Sequence, residues 1–546
     1  MPDTILQIDD LSVRYETSRG YVEAVQGFSA TVREGEIVAI VGESGSGKST
    51  TAHSLIGLLP RGAGVSSGSA RLGDLDLFSL SEKAMNRVRG AQIGFIPQDP
   101  GVALNPVHRV GDQIAEVLRV HRNMSKQDAA DRAVEILDSV GIRDAPRRAR
   151  QYPHELSGGM KQRVLIGAAM SCEPKLLIAD EPTSALDVTV QARILDLIEK
   201  MCEESSTSML LITHDLGVAS DRADRILVMQ QSRLVESGTS REIIMNPQEP
   251  YTKALFEAAP SLASGRMMIS EGIERNPNFV PEEQQTILRV ENVTKQYNVR
   301  GATGKAEVFT AVDDVSFEVK AGSTMAIVGE SGSGKSTTAR VIMRLEPATA
   351  GTIEFEGNDI TNARGQELLA LRSRLQMVYQ NPFGSMDPRF TIEAVLDEPL
   401  RNFKMGDKKF RQKRAAELLD LVQLPESFLE RYPRELSGGQ RQRVAIGRAI
   451  SMNPKLLVLD EAVSALDVSV QHQILQLLTD IQAETNVAYL FISHDLAVVR
   501  QVSDTVGVMQ LGRMVESGTT ESVFTNPQEP YTRELIDAIP GKVIRS

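Results

Sequence analysis

Gly42-Glu43-Ser44-Gly45-Ser46-Gly47-Lys48-Ser49-Thr50 occurs twice in this 546-residue chain, the second time as Gly329-Glu330-Ser331-Gly332-Ser333-Gly334-Lys335-Ser336-Thr337. Each copy follows a short apolar run, Ile37–Val41 or Met325–Val328, that reads as a buried strand. Each precedes a stretch that reads as a helix, Thr51–Ile56 or Thr338–Met343. Strand, glycine-rich loop and helix in that order are the setting of a G-x-x-x-x-G-K-[ST] phosphate loop. Gly42, Gly45 and Gly47, with Gly329, Gly332 and Gly334, let the backbone curl so that successive N–H groups face phosphate oxygens. The helix that follows adds its positive end. Lys48 and Lys335 suit the β- and γ-phosphates, and Ser49 and Ser336 suit the Mg²⁺ that bridges them. Ser44 and Thr50, with Ser331 and Thr337, complete the two cradles. The chain is expected to bind a nucleoside triphosphate at two places.

The remaining landmarks also come in pairs, several of those further on at a constant offset of 280, so the chain reads as two homologous halves. The expected division is 1–260, a polar linker over 261–285, and 286–546. Pro260–Gln285 is polar, contains Pro, Gly and Glu, and has no sustained apolar period, so it reads as a tether without a core of its own. Apolar content of 41% and charged content of 24% are those of a globular protein. A net charge of −12 argues against a broad nucleic-acid footprint. Cys172 and Cys202 are the only cysteines; they form neither a disulfide framework nor a CxxC metal pair. No run approaches the ~18–20 apolar residues of a membrane helix, and no signal peptide opens the chain.

Leu6–Val13 and Leu288–Val293 read as strands, each followed by a tyrosine, Tyr15 or Tyr297, that can stack on an adenine face. Arg61–Gly68 reads as a flexible surface loop. The strands Ile93–Ile96 and Leu375–Tyr379 run into Gln98 and Gln380, whose amides suit Mg²⁺ or an attacking water. Amphipathic stripes at Ala130, Ala133, Val134, Leu137 and at Ala415, Leu418, Leu419, Val422 indicate an inserted helical subdomain. Ser157-Gly158-Gly159-Met160 and Ser437-Gly438-Gly439-Gln440 each open a helix, a second anion-binding end in each half. The strands Lys175–Glu181 and Lys455–Glu461 end in paired acids. Asp180 and Asp460 suit the Mg²⁺ shell, while Glu181 and Glu461 are placed to take a proton from water. His214 and His494 end the next apolar strands beside the same site.

Two full sets of phosphate loop, Gln loop, Leu-Ser-Gly-Gly segment (Leu156–Met160, Leu436–Gln440), acidic strand, Ser-Ala-Leu-Asp loop (Ser184–Asp187, Ser464–Asp467) and histidine resemble a tandem pair of ABC-transporter ATPase domains. Gln98-Asp99-Pro100, Asn105-Pro106, Ala179–Gln191 and the repeated Asn-Pro-Gln-Glu-Pro-Tyr-Thr (Asn246–Thr252, Asn526–Thr532) are similar to the ATPase subunits of dipeptide/oligopeptide importers, a group that includes nickel transporters. The resemblance implies an α/β fold of two tandem P-loop NTPase (RecA-like) domains, each with an antiparallel β subdomain and an inserted helical subdomain. It implies an Mg²⁺-dependent ATPase whose halves pair head to tail, each Ser-Gly-Gly segment covering the other half's ATP. It implies two transmembrane permease subunits, docked through the loops after Gln98 and Gln380, an extracytoplasmic peptide-binding protein, and a peripheral place on the cytoplasmic face of the bacterial inner membrane. The cysteine count leaves no iron–sulfur cluster and no zinc, and no nucleic-acid partner is expected, although the charge does not forbid a local basic patch. Met160 departs from the pattern that Gln440 keeps, losing an amide's hydrogen bonds; Ala462-Val463 stand where the first half has Pro182-Thr183. A tandem ATPase acting on ribosomes is the competing class, but that would resemble a chain with a long charged helical linker. Nickel or another small solute is the competing cargo.

Overall fold

The apolar runs that frame the two loops are interior strands of two six-stranded sheets. The structure is a computed structural model; it describes residues 3–17, 20–184, 186–259, 265–276, 285–300, 306–381, 383–464 and 466–541. Ala185 and Ala465 of the Ser-Ala-Leu-Asp loops, Pro382 beyond Gln380, and 261–264 and 277–284 of the expected linker lie outside the described residues. The chain forms two units, Met1–Ala259 with Pro540–Ser546, and Pro260–Ile539.

In the first unit Ile37–Val41 lies between Ser208–Ile212 and Arg225–Gln230, parallel to both. Leu176–Asp180 and Ile93–Ile96 extend the parallel side, and Arg233–Thr239 closes the other edge antiparallel. The strands Leu176–Asp180 and Ser208–Ile212 are buried at every position, as parallel strands covered on both faces require. The second unit repeats this with Thr324–Val328 between Ala488–Ile492 and Thr505–Gln510. The acidic and histidine-bearing residues follow the carboxyl ends of these strands, where open α/β sheets place their ligands.

Each unit adds a four-stranded antiparallel sheet. In the first, Thr4–Thr17 pairs with Gly20–Arg33 and with Ala63–Leu72. This corrects the reading of Arg61–Gly68 as a loop. Its glycines and serines carry no strand period, but pairing of Ala63 with Tyr15 and of Val65 with Val13 supplies the ladder from a segment far away in sequence.

The helical insertion is present in both units. Ala415, Leu418, Leu419 and Val422 are fully buried, as their spacing requires. In the first unit the buried face of Lys126–Ser139 is Ala129, Ala133, Ile136 and Leu137, continued by Val140, with Ala130 exposed. Of the expected stripe, Ala133 and Leu137 are buried and Val134 packs partly buried against the same core; only Ala130 falls outside it, with Ala129 and Ile136 facing inward. Cys172 and Cys202 are buried, and burial pushes the Cys202 thiol up to about 12. Among the described residues no helix is long and apolar enough to cross a membrane.

Gly265–Asn276, expected to be a bare tether, lies on the second unit. Ser270 donates its N–H and its hydroxyl to the two oxygens of Asp480, at 2.9 and 2.7 Å. Gln476 donates to the Met268 carbonyl at 2.8 Å, Asn276 N–H to Ala483 at 2.8 Å, and Arg266 pairs with Asp504. Asp480 is buried. The first unit has Lys200 at the corresponding place in its helix Val188–Ser205, which has no acceptor to offer.

Candidate functional site

The two glycine-rich loops have the same backbone. Gly42, Gly45 and Gly47 take φ of 145, 78 and 104°, and Gly329, Gly332 and Gly334 take 145, 79 and 105°. Gly42 shows why glycine is needed: a Cβ there would lie 2.1 Å from the Met229 carbonyl oxygen on the neighbouring strand. Lys48, buried at the start of the helix Lys48–Leu55, donates to the Gly42 and Glu43 carbonyls at 2.7 and 2.8 Å. Lys335 makes the same pair of bonds, to Gly329 and Glu330, at the same distances.

Ser49 donates to Asp180 at 2.9 Å, and Ser336 to Asp460 at 3.0 Å. Burial pushes the Asp180 and Asp460 carboxyls above their ordinary range, partly offset by those serine hydroxyls. A buried carboxylate beside a serine hydroxyl is an oxygen donor set that fits Mg²⁺, which would satisfy the charge that burial leaves costly. The observed Ser–Asp pairing thus brings together two of the three residues expected at each metal.

Glu181 and Glu461 accept from Gln98 and Gln380 at 2.6 and 2.7 Å. His214 Nδ1 lies 3.0 Å from Glu181, and His494 Nδ1 3.6 Å from Glu461. Burial alone would raise the Glu181 carboxyl, but His214, Lys48 and Gln98 together hold it below the usual range; at Glu461 the His494 hydrogen bond leads the same shift. The bond to Glu181 raises His214 in return. Both carboxyls are therefore ionised at neutral pH. Both also have left-handed backbones, φ of 46 and 48°, which a non-glycine residue holds only where its surroundings over-determine it. Glu181 N–H is held by the Ile212 carbonyl at 2.8 Å, and Glu461 N–H by Ile492 at 2.9 Å. Ala462 and Val463 are buried, as Pro182 and Thr183 are, so the change beside Glu461 leaves that packing in place.

Tyr15 and Tyr297 are tied to their own units through their hydroxyls. Tyr15 shares a hydrogen bond with Thr50 at 3.1 Å, and Tyr297 donates to Glu346 while the Lys295 ammonium lies 4.9 Å over its ring.

Ser157 and Ser437 are N-caps of Gly158–Met170 and Gly438–Ile450. Here the structure shows what the Met160 departure changes. Gln440 Oε1 accepts the Ser437 N–H at 3.0 Å and closes a capping box, whereas the Met160 side chain packs against the core. The amide shapes its own helix end. Gln440→Met should therefore speed amide exchange at Ser437 by about 2- to 10-fold, the worth of one hydrogen bond, toward the rate at Ser157. Residue-resolved hydrogen–deuterium exchange checks this, and an unchanged Ser437 rate would remove the cap from the account.

Tyr251 and Tyr531 were passed over in the sequence, although the repeat Asn-Pro-Gln-Glu-Pro-Tyr-Thr that carries them was visible. Their hydroxyls accept the N–H of Glu43 and Glu330, at 3.2 and 3.1 Å.

A lysine and serine at a glycine-rich loop, a serine-bound aspartate, and a glutamate held by glutamine and histidine define, twice over, a P-loop nucleoside triphosphatase. The comparisons make the class narrower. The family model described as "ABC transporter" matches residues 25–184 and 312–464, and "Oligopeptide/dipeptide transporter, C-terminal region" matches 235–284 and 515–543. The glutathione import ATP-binding protein GsiA of Shigella dysenteriae serotype 1 (strain Sd197) is 45% identical over 98% of this chain and 89% of its own length. That of Escherichia coli (strain K12) is 44% identical over the same shares. Among solved structures, a dimeric ATP-binding cassette in a post-hydrolysis state with ADP and Pi has a TM-score of 0.39, 30% identity, and covers 43% of this chain and 98% of that chain. The chain belongs to the ABC transporter family, as a tandem ATPase subunit of its oligopeptide/dipeptide importer branch. It is an ATPase coupled to transport.

Proposed function

We propose that this ATPase powers the uptake of di- or oligopeptides through two membrane permease subunits. The observation that carries the reading is the oligopeptide/dipeptide C-terminal region present after each ATPase match. Similarity to proteins named for glutathione import, itself a tripeptide, points the same way. The subunit would sit peripherally on the cytoplasmic face of the inner membrane and meet an extracytoplasmic binding protein only through the permeases. Exposed Val102 and Val107, just beyond Gln98, are apolar side chains suited to docking a permease loop.

In this reading Lys48 and Lys335, with the N–H groups of Gly47–Thr50 and Gly334–Thr337 at the helix starts, hold the ATP phosphates. Ser49, Asp180 and Gln98, and Ser336, Asp460 and Gln380, would hold Mg²⁺, which would supply positive charge to the phosphates. Glu181 and Glu461 take the proton of the attacking water, and His214 and His494 keep those carboxylates ionised and aimed. Tyr15 and Tyr297 offer ring faces to the adenine. Ser157-Gly158-Gly159 and Ser437-Gly438-Gly439 supply helix N-termini to the γ-phosphate when the two units pair, so that ATP favours pairing and hydrolysis releases it.

Co-expression with permease genes neighbouring its own should yield a complex of this chain with two polytopic membrane proteins. Its ATPase, in vesicles with the binding protein, should rise on adding di- or tripeptides. Stimulation by nickel instead of peptides would change the cargo, and purification with ribosomes would overturn the transport reading.

A further inference from the structure

The Asn-Pro-Gln-Glu-Pro-Tyr-Thr repeat lies in the C-terminal region of each unit, outside the segments that match the ATPase model. Its geometry is the same in both. Glu236, on the edge strand Arg233–Thr239, accepts the N–H groups of Gln248 and Glu249 at 2.7 and 3.2 Å, and Gln248 Nε2 donates to the Asn246 carbonyl at 2.7 Å. Glu516 accepts Gln528 and Glu529 N–H at 2.8 and 3.2 Å, and Gln528 Nε2 donates to Asn526 at 2.7 Å. Burial of the Glu236 and Glu516 carboxyls would raise them, yet those backbone donors hold both below the ordinary range. Next comes a proline at the first turn of a helix, Pro250–Ala258 or Pro530–Asp537, where its fixed φ suits the helix start. The residue after that proline is the tyrosine, and the threonine behind it is fully buried. Carboxylate clamp, proline and buried threonine all fix the direction of one side chain.

That side chain ends on the phosphate loop. Tyr251 Oη accepts the Glu43 N–H, and Tyr531 Oη accepts the Glu330 N–H. The same Glu43 and Glu330 residues offer their carbonyls to Lys48 and Lys335, at 2.8 Å in each unit. The tyrosine thus holds the residue that receives the lysine ammonium.

We propose that Tyr251 and Tyr531 are positioning residues for ATP binding, bracing the first turn of each phosphate loop from the family-specific C-terminal region. This rests on reading Gly42–Thr50 and Gly329–Thr337 as the ATP cradles. The brace fixes the loop before ATP arrives, so its loss costs affinity and leaves the chemistry to Glu181 and Glu461 untouched. It also gives the C-terminal region a direct line to the nucleotide.

The test is the double variant Tyr251→Phe/Tyr531→Phe, which keeps both rings and removes only the hydroxyls. The KM and Kd for ATP should rise about 2- to 10-fold, the worth of one hydrogen bond at each site, with kcat within about twofold of wild type and the apo unfolding temperature unchanged. A merely structural tyrosine would lower the unfolding temperature and leave Kd alone; that result, or a fall in kcat at constant KM, overturns the proposal. Lys48→Ala/Lys335→Ala is measured in parallel. If ATP binding survived that change, the reading of the loops would be wrong. If only the lysine pair mattered and the phenylalanine pair bound ATP as wild type, the loops would stand and the brace would fall.

Discussion

Replacing Glu181 and Glu461 together by glutamine is expected to lower ATP turnover by about 10²–10⁴, the usual worth of a positioned general base, while ATP binding persists. Glutamine is nearly isosteric, and it inherits the same left-handed backbone held by the Ile212 and Ile492 carbonyls. The amides of Gln98 and Gln380, now donors to the carboxylates, can turn over to face the new amide. What disappears is the proton acceptor. The pair also loses its charge, so His214, raised chiefly by its bond to Glu181, should fall back toward its ordinary value. Steady-state turnover and nucleotide trapping measure the first effect, and a histidine proton titration by NMR measures the second. Loss of ATP binding along with turnover would mean that these residues hold the nucleotide and do not act on water.

Gly42→Ala and Gly329→Ala should each cost far more at their own site than one methyl group suggests. The new Cβ would meet the Met229 carbonyl oxygen at 2.1 Å in one unit and the Met509 carbonyl oxygen at 2.2 Å in the other. Both oxygens belong to interior sheet strands, Arg225–Gln230 and Thr505–Gln510, where Met229 is paired with Leu234 and Met509 with Met514, one residue beyond the parallel pairs Val41–Val228 and Val328–Val508, so the backbone has little room to retreat. The φ of 145° is unfavourable for any L side chain as well, at about 1–3 kcal/mol before the clash is counted. Affinity for ATP at the altered site should fall by about 10- to 100-fold or more. Equilibrium titration with a fluorescent ATP analogue would read it. An alanine variant that bound ATP normally would show that the loop is not held as the structure has it.

The doubling, the parallel strands and most of the site were legible in the sequence because their signals are local. A buried parallel strand announces itself as a continuous apolar run, so Ile37–Val41 and Ile93–Ile96 are found at the positions expected. Glycine, lysine and serine at fixed spacing have one physical use after such a strand, and two acids at a strand end have few. The bonds from Ser49 to Asp180 and from Gln98 to Glu181 join residues the sequence had already set apart for one site.

Only tertiary structure decided the rest. Ala63–Leu72 becomes a strand because Thr4–Thr17 offers it a ladder, and no pattern within its own glycines and serines carries that information. Gly265–Asn276 lies on the second unit because Asp480 accepts from Ser270; a polar segment without apolar period looks the same whether solvated or strapped down. Gln440 closes its own helix cap, a geometry that residue type alone left open. Tyr251 lies 208 residues from Glu43, and a hydrogen bond to a backbone N–H leaves no mark on the residue that donates it. Sequence records which side chains exist and how they repeat; which backbone group a distant side chain reaches is set when the sheets close.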